Sequence, residues 1–235
     1  MFNMNDINIA NDVAAEEDKL GGFELLESGV YTATIEYAYG HVSSGGAQAI
    51  SVAFKVGEDG YPLNRTFYIT NKKKEAYYTD KSGQKHFLPG FNLANALVYA
   101  ATGKELPNVE IAERTLSIYD FNQRKEVPTQ VQALIELAGA KVALGIQKVR
   151  ANKRVKLQDG SYGESPEETF FNEIDRVFVL KDNNVLTLQE SKANAAPEFA
   201  TKWAEKWNGK VNDKYKEVQG SQSSQAGSSA PLNIG

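Results

Sequence analysis

The sequence predicts a mainly β protein: a small, strongly curved five-stranded barrel with inserted helices and a C-terminal helix. Three observations predict it. Apolar residues alternate with polar ones in three consecutive segments joined by short, Gly-containing turns. Two longer alternating segments, 141–157 and about 170–181, come late in the chain. Helical spacing is confined to short stretches between and after them, and no repeat of solenoid length occurs.

In chain order, residues 1–22 are polar and acidic, end in LGG and read as a mobile arm. GVYTATIEYAY (29–39) is the first strand, with Tyr31, Ala33, Ile35, Tyr37 and Tyr39 on one face and Val30, Thr32, Thr34 and Glu36 on the other. SSGG (43–46) is a turn. AISVAFKV (49–56) places Ile50, Val52, Phe54 and Val56 together, and GEDGYP (57–62) turns the chain again. LNRTFYIT (63–70) sets Leu63, Arg65, Phe67 and Ile69 opposite Asn64, Thr66, Tyr68 and Thr70. Three strands joined in this way form an antiparallel meander.

Residues 71–90 are polar, basic and rich in Tyr, and TDKSGQK within them is the tip of a small hairpin or flap. FNLANALVYAATGK (91–104) has Leu93, Leu97 and Ala100 at helical spacing and Gly103 as its stop. PTQVQALIELAGAK (128–141) is expected to be a second short helix with Val131, Leu134 and Ile135 inward. PEFATKWAEKWNGKVNDKYKEV (197–218) is expected to be helical, with Phe199, Trp203 and Trp207 on one stripe that docks on the barrel. Residues 219–235, a Ser/Gln/Gly tail, have the composition of a disordered segment. The expected division is therefore an arm at 1–22, a binding domain at 23–190, a helix within 191–218 and a tail at 219–235.

The chain has 235 residues and no cysteine, which excludes disulfides, a thiol nucleophile and Cys-based zinc sites. No apolar run approaches the roughly 20 residues of a membrane helix, and the N-terminus lacks a secretory pattern. A soluble intracellular protein is expected. The net charge of −4 conceals segregation. Residues 1–20 carry −4, so the rest is close to neutral. Within it, 141–157 carries six cations and no acid, and 65–86 carries Arg65, Lys72, Lys73, Lys74, Lys81 and Lys85 against Glu75 and Asp80.

Period two resolves 148–157 into an apolar face with Val149, Ala151, Val155 and Leu157 around Lys153, and a polar face with Lys148, Arg150, Asn152, Arg154 and Lys156. Cations about 6.6–7 Å apart on one strand face match a phosphate backbone, and such contacts release counterions. The alternative is a solvated outer strand whose charges block edge pairing. The second basic stretch has Phe67, Tyr68, Tyr77, Tyr78 and Phe87 interleaved with it. Cations for the backbone and rings for unstacked bases are what a single strand requires. Phe67 falls in register with the core positions, whereas Tyr68 faces the other way and is a stacking candidate. Tyr77 and Tyr78 are adjacent, so one of them can face a ligand. Tyr37 and Tyr39 fit either core or groove.

GVYTATIEYAYGHVSSGGAQAISVAFKV resembles the opening of the tailed-phage single-stranded DNA-binding proteins with an OB fold: G-x-Y, an alternating strand, a Ser/Gly turn and an apolar strand ending in F-K-V. GYPLNRTFYIT, the helix closing in ATGK, and LAGAKVALGIQ leading to FNEIDRVF extend the resemblance over about 25–190. It implies a barrel that coats single-stranded DNA during phage replication and recombination, without sequence preference, in the cytoplasm of an infected bacterium. Such a protein would be a monomer or weak homo-oligomer, with phage replication proteins as further partners. Members often carry an acidic C-terminal tail; here the last 17 residues are uncharged and the acidic cluster is N-terminal. On this reading Lys148, Arg150, Arg154 and Lys156 contact the backbone with Asn152 beside them, Arg65 and Lys72–Lys74 stand at the groove edge, and Tyr68, Tyr77 and Tyr78 stack.

Catalytic signatures are missing. His41 and His86 are far apart in turn-like contexts and read as surface residues, not metal ligands. Asp59, Asp80 and Asp159 stand in Gly-containing turns for backbone reasons. Glu173 and Asp175 share a strand face and could form half of a metal-dependent nuclease site; the simpler expectation is ion pairing with the neighbouring basic strand. No phosphate-binding loop, nucleophile elbow or zinc-protease motif occurs. No cofactor and no enzymatic activity are expected. The competing readings are a nuclease using Glu173 and Asp175, and a β-rich phage structural protein whose basic strand is a subunit interface.

Overall fold

The computed structural model of the chain describes residues 24–120, 123–157 and 159–218. The acidic arm at 1–22 and the tail at 219–235 lie outside the described residues. The fold is mainly β, built on a large antiparallel sheet. The meander is β1 (Gly29–Val42), β2 (Gln48–Val56) and β3 (Tyr61–Tyr68). A two-stranded flap follows, β4 (Tyr77–Thr79) with β5 (Lys85–Phe87), and then helix α1 (Pro89–Thr102). Gly103 ends α1 in the left-handed conformation, φ 75°, its N–H bonded to the Tyr99 carbonyl.

A long hairpin comes next, β6 (Ile111–Asp120) and β7 (Lys125–Leu134). It corrects the helix expected over 128–141: only a 3-10 turn at Ile135–Leu137 is helical there. Val131, Leu134 and Ile135 fit helical spacing, but Val127, Thr129 and Val131 have strand preference, and ten paired positions with β6 decide the outcome. The sequence carries no expectation for β6 itself. The two late strands are β8 (Lys141–Lys156) and β9 (Tyr162–Lys181), followed by β10 (Asn184–Leu186). Helices α2 (Leu188–Ala193) and α3 (Phe199–Trp207) lead to β11 (Val211–Asp213). The long C-terminal helix expected over 197–218 thus stops at Trp207. Gly209, at φ 66°, turns the chain back to lay β11 parallel to β8. No described helix is long and apolar enough to cross a membrane.

The sheet runs in the order β10-β9-β8-β1-β2-β3 and is open, so a closed five-stranded barrel is not what the ladder forms. Its two flanks are bridged by α1. Ala94, Leu97 and Val98 of the helix join Phe67 of β3 and Ile174 and Val177 of β9 in one core with Ile35, Phe54, Leu144 and Ile146. Across the remaining gap Arg65 approaches Glu173 at 4.0 Å. A second, smaller cluster on the opposite face of β8 holds Ala143, Phe178, Ala200 and Trp203, which docks α3 as expected.

Candidate nucleic-acid interface

The first strand does not alternate throughout. Ala33 and Ile35 enter the core, but the pairing with β2 shifts between Ile35 and Tyr37. The extra residue is Glu36, a β-bulge that reverses the faces beyond it. Ala38 takes the next core position, and Tyr37 and Tyr39 turn outward, away from Tyr31, Ala33 and Ile35. The ladder then sets three rows across the outer face of the meander: Tyr37–Ala53–Asn64, Tyr39–Ser51–Thr66 and His41–Ala49–Tyr68.

The rings form a series. Tyr37 and Tyr39 lie 6.3 Å apart between centroids, and Tyr39 and His41 5.9 Å. His41 Nε2 is 3.0 Å from Ser51 Oγ, which is 2.8 Å from Thr66 Oγ1, so hydroxyls tie the three strands together beneath the rings. Ala49 and Ala53 are buried although they lie outside the core cluster, which puts them under the larger side chains beside them. Tyr68, 53 % exposed, closes the series. Burial raises the Tyr37 hydroxyl pKa, with Tyr39, Glu36 and Glu126 adding to the shift, which holds that ring as a neutral phenol.

One wall of this face is the β6–β7 hairpin. β7 pairs with β1 at Tyr39 and Gly40, and a hollow of about 410 Å3 opens between Tyr39 and His41 on one side and Ile118, Thr129 and Val131 on the other. The other rim is basic. Asn71 Oδ1 accepts the N–H groups of Lys73 (2.8 Å) and Glu75 (3.0 Å), folding 71–75 into a tight turn with Lys74 at φ 64°. Lys72 packs against the 43–46 turn at the end of β1. Lys72, Lys73 and Lys74 are exposed and have no carboxylate partner among the described residues. Arg65, Tyr68 and Lys72 line one hollow of about 550 Å3 beside α1. Of the residues expected to bind, these five, Arg65, Tyr68, Lys72, Lys73 and Lys74, are brought together.

The basic strand fares differently. β8 and β9 pair as expected, and Lys148, Arg150 and Asn152 share a face, but the charge is answered locally. Lys148 Nζ lies 2.5 Å from Glu27. Arg150 meets Glu168 at 2.6 Å and Asp213 at 3.1 Å, with the Tyr215 ring 4.7 Å away. Its pKa is raised, chiefly by Glu168. Asn152 is buried; its amide donates to the carbonyls of Ser165 and Lys216 and accepts the Lys216 N–H. The ladder slips between Asn152 and Arg154, where β9 carries Pro166. Among the described residues of 148–157, the cations without a carboxylate partner stand beyond that slip, Arg154 beside the Tyr162 ring (6.0 Å) and Lys156. The sequence could not show that the chain's own C-terminal segment, 211–217, lies along this strand.

Tyr77 and Tyr78 sit in the flap, Tyr77 under Lys85 (4.4 Å) and Tyr78 against His86 (5.6 Å). Asp80 holds the flap turn and pairs with His86 at 2.8 Å. Glu173 and Asp175 take partners outside the basic strand, contrary to expectation. Glu173 meets Lys214 (2.5 Å) and Arg65, while Asp175 accepts the Trp203 indole N–H (2.7 Å) and lies beside Arg176. No group of three or more His, Asp or Glu side chains suited to a metal ion occurs among the described residues. The sequence leaves Tyr37 and Tyr39 between core and groove and reads His41 as a surface residue, so none of the three stands among the expected contacts. The signal available was the extra residue between Ile35 and Tyr37, which is visible only once Phe54 and Val52 are known to pair with Ile35 and Ala38. Compared with known proteins, the chain matches no family model, and no curated protein matches it in sequence.

Proposed function

We propose that the protein binds single-stranded DNA without sequence preference on the outer face of β1–β3. The observation that carries this reading is the ring series Tyr37–Tyr39–His41 with Tyr68, bordered by three unpaired lysines. Unstacked bases gain about 1–3 kcal/mol each on such rings. Duplex DNA keeps its base faces stacked and gains nothing there. Lys72–Lys74 and Arg65 are within one hollow or turn of Tyr68 and supply phosphate contacts. The backbone contacts expected of Lys148 and Arg150 are not part of this reading; Arg154 and Lys156 are retained as outlying contacts on the β8–β9 arm.

The topology supports an OB-type barrel as the frame. The run β9-β8-β1-β2-β3 within the open sheet, with α1 inserted after β3, is compatible with a partly open five-stranded Greek-key barrel, a fold that binds oligonucleotides over its second and third strands. In keeping with the resemblance to tailed-phage proteins, the proposed role is a coat that protects exposed strands during replication and recombination.

The test is a titration of labelled single- and double-stranded oligonucleotides at two salt concentrations. Single strands bind tighter, with log affinity falling linearly in log salt. Tyr39→Ala and Tyr68→Ala each weaken single-strand binding by about 1–3 kcal/mol. Equal binding of duplex, or full affinity in both variants, overturns the proposal. Shortening of the strands in magnesium or manganese would instead support the nuclease reading of Glu173 and Asp175.

A further inference from the structure

The β1–β3 face does not end at Tyr68. The 550 Å3 hollow beside Arg65 and Tyr68 has Leu93, Glu173 and Ile174 as its far wall. The same three residues wall a second hollow of about 890 Å3 that runs between α1 and β9 to Arg176, Phe199 and Lys214. Those last three border a third, of about 510 Å3, that reaches Trp203, Lys206 and Trp207 on α3. Three hollows that share walls in sequence make one trough.

The trough repeats the chemistry of the face. Phe87 (57 %) and Phe199 (39 %) are exposed along it. Arg176 stands 5.8 Å from the Phe199 ring and Lys206 5.0 Å from the Trp207 ring, each pairing a cation with an aromatic surface. Its carboxylates are already engaged: Asp175 by the Trp203 indole, Glu190 by the N–H groups of Thr187, Glu198 and Phe199, Glu173 by Lys214 and Arg65.

We propose that this trough is a second tract of the nucleic-acid site. A single strand too long for the β1–β3 face continues from Tyr68 to Trp207, its phosphates on Arg65, Lys214, Arg176 and Lys206 and its bases against Phe87 and Phe199. The inference rests on the function proposed above. Glu173 then acts as an internal stand-in for phosphate. It holds Arg65 and Lys214 while the trough is empty and yields them to the strand, because one anion replaces another at the same two cations.

The experiment uses the full chain and oligothymidylates of about 6 and about 25 nucleotides, near the low end and beyond the roughly 4–16 nucleotides one barrel face covers. Anisotropy reports binding and intrinsic emission reports the trough. The chain has two tryptophans, and Trp203 is buried at 4 % while Trp207 is the more accessible. Both lengths bind, and only the long one quenches emission. Trp207→Phe removes most of the quench and retains binding. Lys206→Glu, at an exposed position, leaves short binding unchanged, weakens long binding several-fold and lowers the salt slope by about 1. Glu173→Gln, which frees Arg65 for both tracts but Lys214 for the second alone, tightens long binding more than short binding. If short strands bind, but long ones give no quench and do not respond to Lys206→Glu, the second tract is overturned and the β1–β3 face stands. If short strands do not bind, both readings fall.

Discussion

Asn152 illustrates how a polar residue in a basic strand becomes a structural one. Its side chain makes three hydrogen bonds, two of them a reciprocal pair with the backbone of Lys216, at 6 % exposure. Substitution leaves two carbonyls and an N–H without partners, at about 1–3 kcal/mol. Asn152→Ala should therefore lower the urea midpoint and speed tryptic cleavage after Lys214 and Lys216, since the segment loses its anchor. Asp80 acts in the same way in the flap. The hydroxyl of Ser82, His86 and the Gln84 amide hold its carboxyl at about 2, below the usual value near 4. A carboxylate with a depressed pKa stabilises fully above the unfolded value, and that contribution disappears as pH falls through the folded one. Hydrogen exchange at the Ser82 and Gln84 amides should accordingly stay slow down to about pH 4 and lose protection towards pH 2. Protection already lost at pH 5 would contradict the assignment.

At the scale of elements, α1 is fixed to β3 by a contact that only glycine permits. A Cβ on Gly90 would lie 2.2 Å from the Tyr68 carbonyl oxygen. Alanine would gain up to about 1 kcal/mol of helix propensity. The clash is with backbone, which cannot swing aside, and overpacking of this kind takes about 1–3 kcal/mol. Gly90→Ala should thus lower Tm and also weaken single-strand binding, because Tyr68 must move with its carbonyl; a raised Tm would show that the helix start relaxes freely. The same scale explains what the sequence disclosed. The meander, α1 and the β8–β9 pair were legible because alternation or helical spacing survives over most of each, and the flap because TDKSGQK reads as a hairpin tip. β6–β7 was not, since Val131, Leu134 and Ile135 fit the helical period while Val127, Val131 and Ala133 fit period two. The faces of β1 were half legible: alternation carried straight through Glu36 assigns Tyr37 and Tyr39 to the wrong side.

For the whole molecule, charge composition proved a poor guide to where charge is available. The six cations of 141–157 suggested the site, yet partners from distant positions, Glu27, Glu168 and Asp213, are folded onto Lys148 and Arg150. Three consecutive lysines in a turn, half as many cations as the strand carries, stay uncommitted. Period two reports which side of a strand a residue takes, and tertiary pairing decides whether its charge faces outward unanswered. The open edge of the sheet follows a similar rule: α1 and an ion pair close the gap that strand order alone would leave to hydrogen bonds.

Ala49 and Ala53 will never meet a ligand, yet they set how low the tyrosines can lie. A saturation library selected for function should reject every bulky side chain at these two sites as firmly as it rejects loss of the rings above them, while the lysine turn accepts arginine. Intolerance would thus be deepest one layer below the working surface.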